Sequence, residues 1–247
     1  MLSSFTPKDN KQFYIDNIKD KDILIVGSGP STNEVKWEKL KVDTVLTTSF
    51  FYLNNKIRTL PNIKHITLSN IINLEDPNLI EFIDSNKECS IGFEVNTHPF
   101  YRGSTYKDFV EKYEDRIISY WTKDHSNCLH IGVGGRLCFL AINFKPKNIY
   151  YVGIDGTSKN PNNDPDNAFR KERKMNHKTG YFNTHDNAGN WKEMIPGYLK
   201  MSEILFNYAN ENNIKIHNLG EGYDYNIATE HSYKHYPLSK DIKKIIK

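Results

Sequence analysis

The sequence feature that most restricts the fold is a short apolar run that ends in two glycines. Residues Ile23–Val26 are all aliphatic, and the chain continues with Gly27, Ser28, Gly29, Pro30 and Ser31. A continuous apolar run of this length, bounded by turn residues, is typical of a strand that is buried on both faces of a parallel sheet. The run therefore predicts a central strand followed by a tight turn.

An α-helix is predicted to begin directly after this turn. Ser31 and Glu34 have the spacing of a capping box, and Val35, Trp37 and Leu40 supply a buried side for the helix. A strand, a glycine turn and a helix N-terminus together favour an anion, because unpaired N–H groups and the helix dipole both attract phosphate.

The two glycines are expected to bring the backbone close to a ligand. The third glycine of the dinucleotide fingerprint is missing, and Pro30 lies within its spacing. The turn thus predicts binding of a nucleotide or phosphate without indicating a dinucleotide. An ordinary strand-to-helix turn with no ligand is the alternative.

Strand and helix patterns alternate along the rest of the chain. Strands are predicted at Thr44–Thr48, Ile63–Leu68, Ser90–Val95, Ile117–Tyr120, Asn148–Asp155 and Ile214–Gly220, and helices at 76–85, 106–114, 136–142 and from 191 to before 212. This alternation predicts an α/β, Rossmann-like fold with a mostly parallel sheet flanked by helices. Such sheets bind ligands at the carboxyl ends of their strands. Ser49, Asn70 and Asp155 fall at such ends, as does the first glycine turn.

Composition restricts the class of protein further. A length of 247 residues with a hydrophobic fraction of 38% suits one α/β domain over residues 1–247. The net charge of +3, without a basic-aromatic motif, gives no support for a nucleic-acid partner. Three cysteines without a C-x-x-C pair predict buried thiols in a reducing compartment. With no signal-peptide core and no apolar run long enough to span a membrane, we expect a cytoplasmic protein.

Residues 156–190 interrupt the alternation. This segment is rich in Asn, Pro, Asp, Lys, Arg and Gly and has few apolar residues. A loop of this length within a compact domain is typical of a lid or a binding loop, so we expect a lid insertion here. Its basic residues Arg170, Lys171, Arg173 and Lys174 suggest an anion site, although a solvated helix face explains them better.

Three short blocks resemble the bacterial lipooligosaccharide sialyltransferases of glycosyltransferase family 42. The first is an apolar strand followed by G-x-G-P-S, found here at Ile23–Ser31. The second is a strand that ends in a small polar residue and aromatics, as in Thr47–Tyr52. The third is a glycine turn at Gly132–Gly135, an apolar helix and a strand that ends in G-I-D at Gly153–Asp155. The resemblance spans roughly residues 22 to 220.

The resemblance implies a CMP-activated sugar donor, inversion at the anomeric carbon, and neither an essential metal nor another cofactor. It implies that the G-x-G-P-S turn holds the nucleotide phosphate, while Ser49 and Asn70 contact the ribose or the base. The turn that lines the other side of the nucleotide in the family corresponds to Gly132, Val133 and Gly134.

The family also carries a catalytic histidine in its lid, after a short stretch that begins with tyrosine. Tyr181–His185 occupies the matching place with a one-residue difference in spacing. His185 is therefore the candidate general base that removes the acceptor's hydroxyl proton, with His177 as the alternative. Tyr181 is a candidate donor to the departing phosphate. An aromatic residue that packs the lid is the other interpretation of Tyr181.

Two positions depart from the family's pattern. The family has a tyrosine soon after G-I-D, where this chain has Gly156 and Thr157, and it has a basic residue before the second glycine turn, where this chain has His130. These differences leave open whether the sugar is sialic acid or another nucleotide-linked sugar.

Two other functions are compatible with the phosphate turn. G-x-G-P-S also occurs in pterin pyrophosphokinase-like proteins, and Asp155 is placed to hold Mg²⁺ in such an ATP-dependent enzyme. A non-catalytic nucleotide-binding domain is the second alternative. A D-x-D motif at Asp164 and Asp166 does not follow an apolar run, so it reflects loop composition rather than a metal site.

The expected partners are a nucleotide-sugar donor and a glycan or glycolipid acceptor, as in lipooligosaccharide biosynthesis. The C-terminal residues 240–247 are basic with apolar residues at partly helical spacing. They fit a solvated terminal helix, and weak association with anionic lipid on the inner face of the membrane is the alternative. The sequence leaves open the acceptor, the linkage and the formation of a homo-oligomer.

Overall fold

One parallel sheet organises the fold. The computed structural model describes residues 10–27, 32, 35–68, 72–94, 104–120, 132–154 and 204–219. Within these ranges the strands are β1 Asp22–Val26, β2 Thr44–Thr48, β3 Ile63–Leu68, β4 Ser90–Glu94, β5 Ile117–Tyr120, β6 Asn148–Val152 and β7 Lys215–Asn218. All six pairings between neighbouring strands are parallel.

Helices connect the strands. They are α1 Asn10–Ile18, α2 Asn55–Arg58, α3 Pro77–Ser85, α4 Ser104–Lys112 and α5 Gly132–Asn143, and residues 204–211 form α6. Short 3₁₀ helices cover Trp37–Lys39, Ser49–Leu53 and Glu114–Arg116. Within the described ranges, no helix has both the length and the apolar character that a membrane span needs.

The strand order is β5-β4-β3-β2-β1-β6-β7. From β1 the sheet grows outward to β5, and the chain then returns to the other side of β1 to add β6 and β7. The predicted Rossmann-like architecture is thereby confirmed. The crevice outside the carboxyl ends of β1 and β6 is the topological switch point, which is where sheets of this kind bind ligands.

The two faces of the sheet pack against different helices. Leu24 and Val26 face a core that includes side chains of α3, α4 and the 3₁₀ helix Ser49–Leu53. Ile23 and Ile25 face a second core with side chains of α1, α5 and α6. Because both faces are covered, all four residues from Ile23 to Val26 have 0% exposure. The prediction of a strand buried on both faces is confirmed.

Several predicted bounds agree with the structure. The strands β2, β3 and β5 have the predicted limits, and α3 begins after Asp76, whose Oδ1 accepts a hydrogen bond from the Asn78 N–H at 2.9 Å. The strand β6 ends earlier than predicted, and Val95, the last predicted residue of β4, lies outside the described residues. The end of β6 at Val152 has a local cause, because Gly153 has a φ of 70°, which no strand residue adopts.

The α-helix predicted from Ser31 is wrong for the described part of that segment. Residues 35 and 36 have no regular structure, Trp37–Lys39 form a single 3₁₀ turn, and Leu40 is extended at φ −81° and ψ 123°. Val35 and Trp37 are buried as predicted, at 6% exposure each. β-Branched and aromatic residues are weak helix formers, so burial of these side chains does not require a helix.

Helix α1 has no counterpart among the predicted elements. Its only fully buried side chains are Tyr14 and Ile18, one helical turn apart, since the other described positions of α1 are half-buried or exposed. A single pair of this kind is too short a pattern to distinguish a helix from a loop. The helix is therefore held by tertiary contacts, including stacking of Tyr14 on Phe144 with ring centroids 4.9 Å apart.

Candidate functional site

The carboxyl ends of β1 and β6 meet at the topological switch point. Val26 and Val152 are partners in the parallel register, so the residues that follow them leave the sheet side by side. Gly27 follows β1, and its N–H donates to the carbonyl oxygen of Val152 at 2.8 Å. Gly153 follows β6 in the left-handed region, which glycine adopts without strain.

Gly27 has a structural role in the sheet that was not predicted. A Cβ at this position would collide with the carbonyl oxygen of Gly153 and would lie 2.7 Å from its carbonyl carbon. The missing side chain thus allows β1 and β6 to approach, and the Gly27 N–H is used within the sheet. The expectation that this N–H holds a phosphate is corrected. A ligand that contacts Gly27 would do so through its other backbone atoms, because the N–H already donates to Val152.

The first turn of α5 joins the same junction. A Cβ on Gly134 would lie 2.8 Å from Ile154 Cγ1 and 4.0 Å from Gly27 Cα. The glycine turn predicted at Gly132–Gly135 is wrong, because α5 already begins at Gly132 and includes these residues. Three segments that are distant in sequence therefore come together at the switch point.

The junction receives a helix N-terminus, although not the predicted one. The N–H groups in the first turn of an α-helix have no partner within the helix, and that end carries partial positive charge. Because α5 is 12 residues long and begins at Gly132, its positive end lies at the junction through Gly134. This helix supplies a dipole that favours an anion at the junction.

Ser49 has an unusual backbone at the same edge of the sheet. It directly follows β2, is 7% exposed and has a φ of 50°. The other described non-glycine residues with positive φ are Asp20, Asn62, Lys145 and Asn213. Those four precede β1, β3, β6 and β7, in turns at the amino edge. Among the described residues, Ser49 is thus the one left-handed non-glycine residue at the carboxyl edge, and such strain is concentrated at functional sites.

The neighbouring residues fix the position of Ser49. The hydroxyl of Thr48 donates to the carbonyl oxygen of Val26 at 3.3 Å, which ties the end of β2 to the end of β1. In the 3₁₀ helix that follows, the Tyr52 hydroxyl donates to Asp76 Oδ2 at 3.2 Å. Phe51 is 0% exposed and packs edge-on against Phe82. The aromatic residues of this block therefore anchor the turn in the core, while Ser49 lies at its start.

A buried polar cluster in the sheet was missed from the sequence. His65 of β3 is 0% exposed, with Nδ1 2.7 Å from Ser90 Oγ and Nε2 3.0 Å from Thr67 Oγ1. Ser90 Oγ donates to the carbonyl oxygen of Lys64, so it accepts from His65 Nδ1–H, and Nε2 accepts from Thr67. Burial lowers the pKa of His65 to about 3. The ring is therefore neutral and joins β3 to β4, and its burial separates it from substrate.

A polar residue in a strand signals such a cluster only once the register is known. His65 pairs with Ser90 across β3 and β4, and Thr67 lies two residues further along the same face. Ser90 lies 25 residues after His65 in the sequence, so no spacing rule connects the two.

The other predicted site residues lie outside the described residues. They are Ser28, Gly29, Pro30, Ser31, Asn70, Asp155, Tyr181 and His185, together with the alternative base His177 and the lid 156–190. Three of the described segments end just before them, at Gly27, Leu68 and Ile154. Contacts made by these predicted residues stay predictions.

The described thiols and acidic groups do not indicate a metal site. No group of three or more His, Cys, Asp or Glu side chains within the described ranges has an arrangement that could hold a metal ion. Cys89 and Cys138 are free and buried, as predicted, and Cys128 lies outside these ranges. Burial raises the pKa of the Cys89 thiol to about 12, so this thiol is protonated at neutral pH.

No protein-family model and no curated protein matches the chain. Among solved structures, the monofunctional α-2,3-sialyltransferase Cst-I from Campylobacter jejuni is 17% identical, with a TM-score of 0.53 over 90% of this chain and 82% of that chain. A variant of the sialyltransferase CST-II in complex with CMP is 20% identical, with a TM-score of 0.51 over 81% and 82%. Monomeric CstII is 19% identical, with a TM-score of 0.51 over 83% and 84%. The chain shares the fold of these sialyltransferases.

Proposed function

We propose that the chain is a sialyltransferase-like glycosyltransferase. It transfers a sugar from a CMP-activated donor to a glycan acceptor, with inversion and without a metal ion. The observation that carries the proposal is the junction of β1, β6 and α5 at the switch point, in a sheet that has the fold of sialyltransferases. One structure with this fold contains CMP, which supports CMP as the nucleotide of the donor.

In this proposal the donor phosphate binds beside the first turn of α5. The helix N–H groups of Gly132–Gly134 and the dipole of α5 attract the phosphate. Ser28–Ser31 hold it from the side of β1, and Ser49 and Asn70 contact the ribose or the base. Negative charge grows on the phosphate as the glycosidic bond breaks. Donors fixed in advance around that charge stabilise the transition state more than the ground state.

The proposed chemical step uses one base and one leaving group. His185 removes the proton from the acceptor hydroxyl while that oxygen bonds to the anomeric carbon. The bond between the anomeric carbon and the phosphate oxygen breaks, and CMP leaves with the electron pair. Tyr181 donates a hydrogen bond to the departing phosphate. Attack from the face opposite CMP inverts the anomeric centre.

The proposal is tested by measuring CMP release from CMP-sialic acid, with and without a lactose-terminated acceptor. EDTA is present to remove metal ions. We expect acceptor-dependent release by the wild type, and a loss of about 10² to 10⁴-fold for His185→Ala with CMP binding retained. His177→Ala removes the alternative candidate base in the same segment, and we expect this variant to keep its activity. Equal rates for the wild type and His185→Ala contradict the assignment of the base.

Other outcomes separate the rival functions. Thermal stabilisation by ATP only in the presence of Mg²⁺ indicates a pyrophosphokinase-like enzyme instead. Stabilisation by CMP without donor turnover, unchanged in His185→Ala, indicates a non-catalytic nucleotide-binding domain.

A further inference from the structure

One side chain fills the space between the three segments of the junction. Ile154 Cγ1 lies 3.2 Å from the place that a Cβ on Gly27 would take. Its Cγ1 and Cδ1 lie 2.8 and 2.9 Å from the place of a Cβ on Gly134. Ile154 also packs, partly buried, against the core formed with α1, α5 and α6. Two glycines on different segments thus leave room for the same isoleucine.

We propose that Ile154 is a positioning residue of the nucleotide site, because it sets the distance between the end of β1 and the first turn of α5. Neither Gly27 nor Gly134 has a side chain that could separate the two segments. The Ile154 side chain occupies the space that a Cβ on either glycine would need, so its size limits how near the two segments come.

The spacing matters for binding if a phosphate lies beside both segments, and in this respect the inference rests on the proposed function. Groups that bind one ligand from two sides must be held at a fixed separation. A displacement of about 1 Å is enough to reduce catalysis by up to 10²-fold. An isoleucine that merely fills the core would lower stability on truncation without changing the affinity of the folded protein for a nucleotide.

Ile149 provides the matched control. It lies on β6, the strand that leads to Ile154, is 0% exposed and belongs to the same core. It pairs with Ile23, near the amino end of β1, so it lies away from the carboxyl edge. Truncating Ile149 removes the same side chain from the same core without touching the junction.

The binding test compares Ile154→Ala, Ile154→Val and Ile149→Ala in the full chain. The melting temperature, the Kd for CMP by calorimetry, and the KM and kcat with CMP-sialic acid are measured. We expect Ile154→Ala to raise the Kd for CMP about tenfold and Ile154→Val to recover most of the affinity. Ile149→Ala should lower the melting temperature at least as much, with a Kd within about twofold of the wild type. Equal changes in Kd for both alanine variants overturn the proposal.

The packing claim has a test that needs no ligand. Gly134→Ala adds a methyl group where Ile154 lies, so it should lower the melting temperature. Ile154→Ala removes the obstruction. The double variant should therefore lose much less melting temperature than the two single variants lose in sum. Additive losses overturn the spacing role. If the wild type binds no CMP, the proposed function and the nucleotide role of Ile154 both fail. The melting temperatures of the two single variants and the double variant still test whether Ile154 sets the spacing.

Discussion

The N–H of Gly27 donates to the carbonyl oxygen of Val152 at 2.8 Å, which extends the pairing of β1 and β6 by one residue beyond the end of β1. The bond holds the two strands together at the topological switch point. Residue 27 must be glycine, because the Gly153 carbonyl group occupies the place that a side chain would take.

The first prediction concerns this contact. Gly27→Ala should lower the free energy of unfolding by about 1 to 3 kcal/mol, because backbone atoms must move to admit the methyl group. Urea denaturation measures the change. Lys147→Ala is the control, because it removes an exposed ion pair between the residue before β6 and Asp22 of β1, and it should change stability by less than about 0.5 kcal/mol. A Gly27→Ala protein as stable as the control contradicts the close approach.

The second prediction concerns the backbone of Ser49. Ser49→Gly should be more stable than Ser49→Ala by about 1 kcal/mol, since glycine adopts a positive φ freely. Asn62, with a φ of 64° at the amino edge, is the matched site, and Asn62→Gly and Asn62→Ala should show the same order. Only the Ser49 variants should weaken CMP binding. Equal CMP affinities at both sites would remove Ser49 from the nucleotide site.

The third prediction concerns pH. Burial lowers the pKa of His65 from 6.5 to about 3, so the unfolded chain binds a proton between these values that the folded chain does not. Stability from His65 is therefore present above pH 6.5 and is lost as the pH falls toward 3, by at most about 1.4 kcal/mol per pH unit.

The measurement for His65 is urea denaturation between pH 7.5 and 4. His65→Gln should be less stable at neutral pH, because its amide does not reproduce the bonds to Ser90 and Thr67, yet its stability should fall less steeply with acid. The other histidines are common to both proteins, so they cancel in the difference. Parallel curves for the two proteins would show that His65 titrates normally in the folded state.

The fourth prediction concerns Arg116. Its guanidinium group donates to the carbonyl oxygens of Ile83, Asn86 and Cys89 at 2.7 to 3.0 Å. These bonds satisfy carbonyl groups in the last turn of α3 and in the chain that follows it. Arg116→Lys should cost about 2 kcal/mol of unfolding free energy, because an ammonium group cannot reach these three acceptors together. Arg58→Lys, in an exposed pair with Glu81, is the control and should cost less than about 0.5 kcal/mol. Similar costs at both sites contradict this role.

Much of the sheet could be predicted from the sequence because its central strands β1, β2 and β3 are almost fully buried. Runs such as Ile23–Val26 then contain no polar interruption, and short turns mark their ends. Asp76 and Pro77 likewise mark the start of α3 by local chemistry alone, through a side-chain cap and a proline in the first turn. Features that depend on neighbouring residues in the sequence are therefore the predictable ones.

The remaining features depend on contacts between distant segments. Val35 and Trp37 are buried without an α-helix, and Gly134 lies inside one, with Ile154 in the space that its side chain would need. The role of Gly27 can be identified only when the position of Gly153, which is distant in sequence, is known. The carboxyl edge was correctly predicted as the place for Ser49, whereas its left-handed backbone became visible only in the structure.

The most direct test of the central claim is amide hydrogen exchange with and without CMP. The first-turn N–H groups of α5 have no helical partner and should exchange rapidly in the free protein. If the nucleotide binds at the junction, CMP should slow exchange at residues 132–134 and leave residues 20–22 at the amino edge unchanged. CMP binding that protects residues elsewhere, with no change at 132–134, would contradict the proposed site.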